Sequence, residues 1–218
     1  MGKDYIFTKE QQIILDEVKN STYFTSNFYF TGGTALSSFY LNHRESEDLD
    51  FFSEREFDNE KILTLVEEWS RKYLFTFSSR FNEVVYVFQL VFETGEKLKV
   101  DFGYYPYNRF EKGFTWNSIE IDSLIDIAIN KLLTISQRLE VKDFADLYYL
   151  LEEFTVWDLI DGVKVKFGQK LEPFLLAADF LKVEEFEYLP KMIKPLTLEQ
   201  LKDYFRKKAI EIGKHSIE

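Results

Sequence analysis

The 218-residue sequence predicts an α/β (α+β) fold, a mixed sheet with interleaved helices followed by a C-terminal helical subdomain. Three observations predict it. Residues 27 to about 105 mix short β-rich runs with helical ones. Two of those runs, Val84 to Phe92 and Lys97 to Tyr104, are separated by Glu93-Thr94-Gly95-Glu96, a sequence suited to a short hairpin turn. After Trp116 the apolar residues recur at three- and four-residue spacing. The boundary is placed between 115 and 116, giving an α/β domain (1–115) and a helical subdomain (116–218).

In chain order, Phe28 to Thr31 reads as a strand, Thr34 to Leu41 as a helix and Leu49 to Phe52 as a second strand. A helix over Asn59 to Tyr73 follows, with Asp58 as its N-cap, because a short carboxylate there can accept from the first free backbone amides. The hairpin comes next. Four helices complete the chain: Ser123 to Leu139, Lys142 to Glu153, Leu171 to Leu181 and Leu198 to Ile210, with Pro190 and Pro195 marking a loop before the last.

Composition excludes several functions. Asp and Glu number 38 against 27 Lys and Arg, a net charge of −11, so the chain is not a general coat for nucleic acid or an anionic membrane, and any RNA contact is local. No apolar run reaches the ~18 residues of a membrane span, and the start lacks a signal-peptide core, so a cytoplasmic protein is expected. With no cysteine and two histidines, carboxylates remain as the metal ligands, and these select hard cations such as magnesium or manganese.

Thr31-Gly32-Gly33-Thr34 places a glycine pair between a strand and a helix, where backbone amides can approach a phosphate closely. A purely structural turn explains the same pair. Asp48 and Asp50 flank Leu49, and strand alternation sends both carboxylates to one face with Cα atoms about 6.7 Å apart. At an effective dielectric near 20 their repulsion is roughly 2.5 kcal/mol, which a divalent cation would turn into attraction. Asp101 alternates with Val100 and Phe102 and is expected on the same face as Asp48 and Asp50. Three carboxylates opposite a glycine turn suit one or two magnesium ions on a nucleoside triphosphate. Lys131 and Arg138, seven apart, share one helical face and could reach phosphates or form a solvated stripe. Asp143 in the first turn of the next helix is explained by the helix dipole, whereas Asp146 could cap, pair with Arg138 or face the cleft. Tyr104, Tyr105 and Tyr107 could stack on a base or simply pack.

Gly32-Gly33-Thr34-Ala35-Leu36, followed by His43-Arg44-x-Ser46-x-Asp48-x-Asp50-Phe51-Phe52-Ser53, resembles the AbiEii/AbiGii toxin family of nucleotidyltransferases, relatives of the MenT toxins. Val100-Asp101-Phe102 looks like its second motif, Lys131 with Arg138 its third, and Lys142-Asp143-Phe144-Ala145-Asp146-Leu147 its fourth. The departures are Thr34 for the superfamily's serine, a longer gap to Asp48, and Lys142 where arginine is common. The resemblance implies a DNA-polymerase-β-like nucleotidyltransferase fold, a nucleoside triphosphate substrate and a cognate antitoxin partner in a phage-defence setting. In some members it also implies transfer to the 3′ end of transfer RNA. Carried over, it assigns Gly32, Gly33, Thr34 and Ser46 to the triphosphate, and Asp48, Asp50 and Asp101 to magnesium or manganese. Lys131 and Arg138 would neutralise phosphate charge, with Asp146 a second base or a residue orienting Lys131. A small-molecule or protein acceptor, and a non-catalytic nucleotide-binding module, are the alternative readings.

Overall fold

In the computed structural model, which describes residues 7–214, seven strands form one sheet in the order β3-β4-β5-β2-β1-β7-β6. These are β1 (Tyr29–Thr31), β2 (Leu49–Ser53), β3 (Thr76–Asn82), β4 (Val85–Val91), β5 (Lys97–Tyr104), β6 (Thr115–Trp116) and β7 (Ile119–Ile121). The expected hairpin is β4–β5, antiparallel with Val87 opposite Asp101. Its second strand continues into β2 in parallel, so the sheet is mixed. β1 lies antiparallel to β2 and parallel to β7.

Sequence reading missed three strands. β3 is almost wholly exposed, and Ser78, Ser79 and Arg80 give it no alternating apolar signal. β6 and β7 are two and three residues long, too short for a period to register.

One face of the sheet carries the core. Leu49, Phe51, Phe88, Leu90, Val100 and Phe102 are buried, each alternating with a residue on the other face. Phe24 of α2 (Thr22–Asn27) meets Phe102 at 5.0 Å between ring centres and Trp69 of α4 (Asn59–Tyr73) at 5.2 Å. α4 begins where expected, with the Asp58 side chain accepting from the Lys61 amide. The unexpected α1 (Lys9–Asn20) opens on a reciprocal cap between Thr8 and Gln11. Gln11 also donates to the carbonyls of Ser46 and Glu47, fixing the chain that leads to Asp48. The opposite face is left for the acids.

By contacts the chain forms two compact units. The first takes the chain up to Tyr40 with Ser46–Asn108 and Lys112–Ser123, and the second takes Leu41–Glu45, Arg109–Glu111 and the chain from Leu124. The division therefore falls at 123/124 rather than 115/116, because β6 and β7 return to the sheet before the helices begin.

The second unit holds α5 (Leu124–Gln137), α6 (Val141–Leu150), α7 (Val156–Phe167), α8 (Pro173–Leu181) and α9 (Leu198–Lys214). Four were expected. The fifth, α7, was overlooked although Val156, Leu159 and Val163 keep the helical spacing between a Thr155/Asp158 cap and Gly168 with φ +65°. Gly162 sits on its buried face where α5 comes close: a Cβ at 162 would lie 2.6 Å from the Ile129 side chain. Among the described residues no helix is long and apolar enough to cross a membrane.

Candidate active site

The glycine pair ends β1 and opens a short helix, α3 (Gly32–Ala35), which runs on as a π-helical turn over Leu36–Leu41. The expected helix began at Thr34. The structure starts it two residues earlier, because Gly32 takes φ +77° and lets the chain turn directly out of the strand. A Cβ at 32 would sit 2.1 Å from Asp50 Oδ2, so only glycine lets this carboxylate lie against the turn.

Asp50 is also placed by register. It pairs with Thr31 of β1 on one side and with Asp101 of β5 on the other, making a row Thr31–Asp50–Asp101 across three strands. Residues so paired share a face with Cβ atoms about 5 Å apart. Asp48 lies just before β2, and its carbonyl accepts from the Thr34 hydroxyl, which is 2.9 Å from the Ser46 hydroxyl. The glycine turn and the acidic strand are thereby tied together.

This corrects the expected role of Thr34. Its side chain is buried and spent on internal bonds, so it braces the turn, leaving the half-buried Gly32 and Gly33 as the accessible part.

Asp101 is 9% exposed and hydrogen-bonded through Oδ2 to Lys99, its neighbour on the same face, while Oδ1 is buried with no hydrogen-bond partner among the described residues. Burial raises the carboxyl's proton affinity, Lys99 only partly offsets this, and the charge of Asp48 adds to it, so the Asp101 pKa is raised. Burial disfavours the Lys99 ammonium, but the bond to Asp101 and the charges of Asp50 and Asp48 outweigh it and raise that pKa as well. All three acids thus act on one lysine.

Among the described residues no group of three or more acidic or histidine side chains is placed to hold a metal ion, Asp48, Asp50 and Asp101 included. Magnesium commonly uses only one or two carboxylates and takes its remaining oxygens from water and substrate phosphate. The unpartnered Asp101 oxygen beside Asp50 is such a hard, incomplete donor set.

The remaining expected site residues form a different kind of cluster within the second unit. Asp146 is fully buried and accepts from His43 Nε2 at 2.7 Å and from Arg44 Nε at 2.6 Å and Nη2 at 2.9 Å. Lys131 Nζ lies 2.5 Å from Asp146 Oδ2, the oxygen that also accepts from Arg44 Nη2, and 2.7 Å from Asp143 Oδ1. Arg138 Nε donates to Asp143 Oδ2 at 2.8 Å. Lys131 and Arg138 do share a face, but there they clasp Asp143. Asp143 is accordingly an enclosed ion-pair partner and not merely a helix-terminus charge.

Asp146, read from the sequence as a second base or a residue orienting Lys131, is sealed behind Lys131 and Arg44, the placement of the second of these roles. Burial opposes its charge, but Lys131 and Arg44 overcome this and hold the carboxyl well below its usual range. Burial keeps the His43 pKa low. The carboxylate can only accept, which fixes the His43 proton on Nε2, and the buried Nδ1 has no partner among the described residues to receive another.

Sequence reasoning noted His43 and Arg44 only as motif letters and overlooked Asp126 with Lys166, a fully buried pair at 2.6 Å. Asp126 also accepts from the amides of Phe110 and Glu111, anchoring that excursion of the chain. The available signal was a charge at helix positions whose spacing assigns them to the core.

The fold is that of the nucleotidyltransferases, a class of enzyme. The chain belongs to the AbiEii toxin family, nucleotidyl transferases of type IV toxin–antitoxin systems, whose family model matches residues 14–212. An uncharacterized protein of Aquifex aeolicus, aq_aa25, is 30% identical over 211 residues, covering 93% of this chain and 96% of that one. Among solved structures, JHP933 of Helicobacter pylori superposes with a TM-score of 0.58 at 19% identity, covering 97% of this chain and 95% of that one. MenT4, the nucleotidyltransferase toxin Rv2826c of Mycobacterium tuberculosis, superposes with a TM-score of 0.53 at 18% identity, covering 92% and 82%.

Proposed function

We propose that the protein transfers a nucleotide from a nucleoside triphosphate to a hydroxyl of an RNA acceptor, the 3′ end of transfer RNA in the first instance, and releases pyrophosphate. The observation that carries this reading is the pairing of Asp50 with Asp101 across parallel strands, with the Gly32 turn against Asp50. The acceptor oxygen bonds to the α-phosphorus as the bond from that phosphorus to the bridging oxygen of pyrophosphate breaks. Gly32 and Gly33 leave room for the phosphates to approach the backbone. Asp48, Asp50 and Asp101 would hold magnesium or manganese, which when bound offsets charge on the attacking and leaving oxygens. Asp101, whose Oδ1 is unpartnered among the described residues, would also help activate the attacking hydroxyl, whose proton leaves as the new bond to phosphorus forms. Most of the acceleration comes from positioning and electrostatics.

The test incubates purified protein, magnesium and each of four labelled triphosphates with total RNA. Label enters RNA with the native chain, and Asp48→Ala abolishes it. No transfer from any triphosphate rejects the proposal, whereas label in a small-molecule or protein fraction moves it to a different acceptor. A cognate antitoxin, as the family implies, would suppress the signal when added.

A further inference from the structure

The acid row does not end at Asp101. Its register continues through Val87 of β4 to Arg80 of β3, so Asp50, Asp101 and Arg80 stand on the same face of the sheet. Arg80 is two strands from Asp101, about 10 Å at the usual strand spacing. Its charge lowers the proton affinity of Asp101, which puts the two within electrostatic reach. Alternation on β5 brings Lys97 and Lys99 to this face too, Lys97 about 13 Å along the strand from Asp101.

The face presented by the three outer strands therefore consists of Arg80, Lys97 and Lys99 among Thr76, Ser78, Asn82, Gln89, Gly103 and three valines, with Asp101 as its one acid. Glu83, Glu93 and Glu96 lie beyond the strand ends, in the turns. Lys99 is engaged by Asp101. Arg80 and Lys97 are exposed and make no ion pair among the described residues, in a chain of net charge −11. The opposite face of the same strands packs into the core through Tyr86, Phe88, Leu90 and Leu98, so the two cations are held on a backed surface.

An acceptor strand whose terminal hydroxyl reaches the acids must lead its phosphates past negative charge, and local cations are needed to offset it. We infer that the β3–β4–β5 wing is the docking surface for the phosphodiester backbone of a single-stranded RNA end, with Arg80 and Lys97 as its phosphate contacts. Arg80 offers a planar fork able to bridge two phosphate oxygens, and Lys97 a mobile point charge. The inference rests on the RNA-acceptor reading above. It adds the direction in which that acceptor leaves the reacting centre.

The experiment measures binding of a 5′-fluorescein-labelled single-stranded RNA oligonucleotide by anisotropy, across a salt series and without triphosphate, so that turnover plays no part. Arg80→Gln with Lys97→Gln should weaken binding about tenfold near 0.15 M salt. It should also make the plot of log affinity against log salt shallower by about 1.4, at roughly 0.7 per phosphate contact on a single strand. Arg80→Lys with Lys97→Arg should restore most of both, and thermal unfolding should match the native chain because both side chains are exposed. Native-like affinity and salt slope in the Gln double variant overturn the inference, as does a native chain that binds no RNA. Intact, wing-dependent RNA binding without any nucleotide transfer rejects the catalytic reading and leaves the wing standing.

Discussion

Two groups of charged side chains lie in this chain, one on the open face of the sheet and one sealed among helices, and they are built on opposite principles. Asp48, Asp50 and Asp101 bring like charges together around a single lysine, and Asp101 keeps a buried oxygen with no partner among the described residues. Asp143 and Asp146 are each met by two cations and are fully enclosed. An excess of one charge at a partly exposed place weakens the resting protein but leaves something for a ligand to satisfy. A cluster whose carboxylates are buried and each met by two cations holds structure first. Substitution in the first group should therefore cost function, and in the second, stability.

The largest expected effect lies in the sealed group. Asp146→Ala leaves Lys131 and Arg44 without their shared carboxylate and should lower unfolding free energy by about 3–5 kcal/mol, read from urea denaturation. A loss under about 1 kcal/mol would show that the cluster is not the brace described here.

Asp50→Asn should do the reverse. Transfer should fall by about a hundredfold to a thousandfold, with stability unchanged within about 0.5 kcal/mol, because the change removes repulsion at a partly exposed position. An equal loss of stability in both variants would erase the distinction.

Gly32→Ala sharpens it further, since the residue needs φ +77° and its new methyl would run into Asp50. A cost of about 1–3 kcal/mol is expected from backbone strain, together with transfer as low as in the Asp50 variant, because the carboxylate must move.

The smallest effect is in pH dependence. His43 is held below its ordinary value of 6.5, so below that pH the unfolded chain binds more protons than the folded one. Stability is full above about 6.5 and should drop by on the order of 1 kcal/mol as pH falls toward 5. His43→Gln should flatten that interval. Further loss should appear only below about pH 4 in both proteins, where the unfolded chain protonates carboxylates corresponding to Asp143 and Asp146, whose folded values are lowered.

Much of the sheet site was legible because strand alternation is a two-residue rule that needs no tertiary knowledge. Asp48, Asp50 and Asp101 could be assigned to one face from Leu49, Val100 and Phe102 alone. The parallel alignment of β2 with β5 was not, since it depends on a crossover through α4 and β3–β4, and β3 has no apolar rhythm. In the helical unit, spacing placed Lys131 and Arg138 together but could not say what faced them. Their partner Asp143 comes from the next helix, and Asp146's partners His43 and Arg44 come from a segment about a hundred residues earlier. Thr34 illustrates a further limit. A hydroxyl beside a glycine pair suits a phosphate, yet the backbone carbonyl it actually serves lies fourteen residues on.

The five residues Leu41–Glu45 leave the sheet unit, deliver an imidazole and a guanidinium to a carboxylate in the helical one, and return at Ser46. No cut between residues 123 and 124 could separate two self-sufficient pieces: one fragment would keep the donors and the other the acceptor. The chain is thus indivisible at that point, because the residues that lead into the acidic strand belong to the same compact unit as the C-terminal helices.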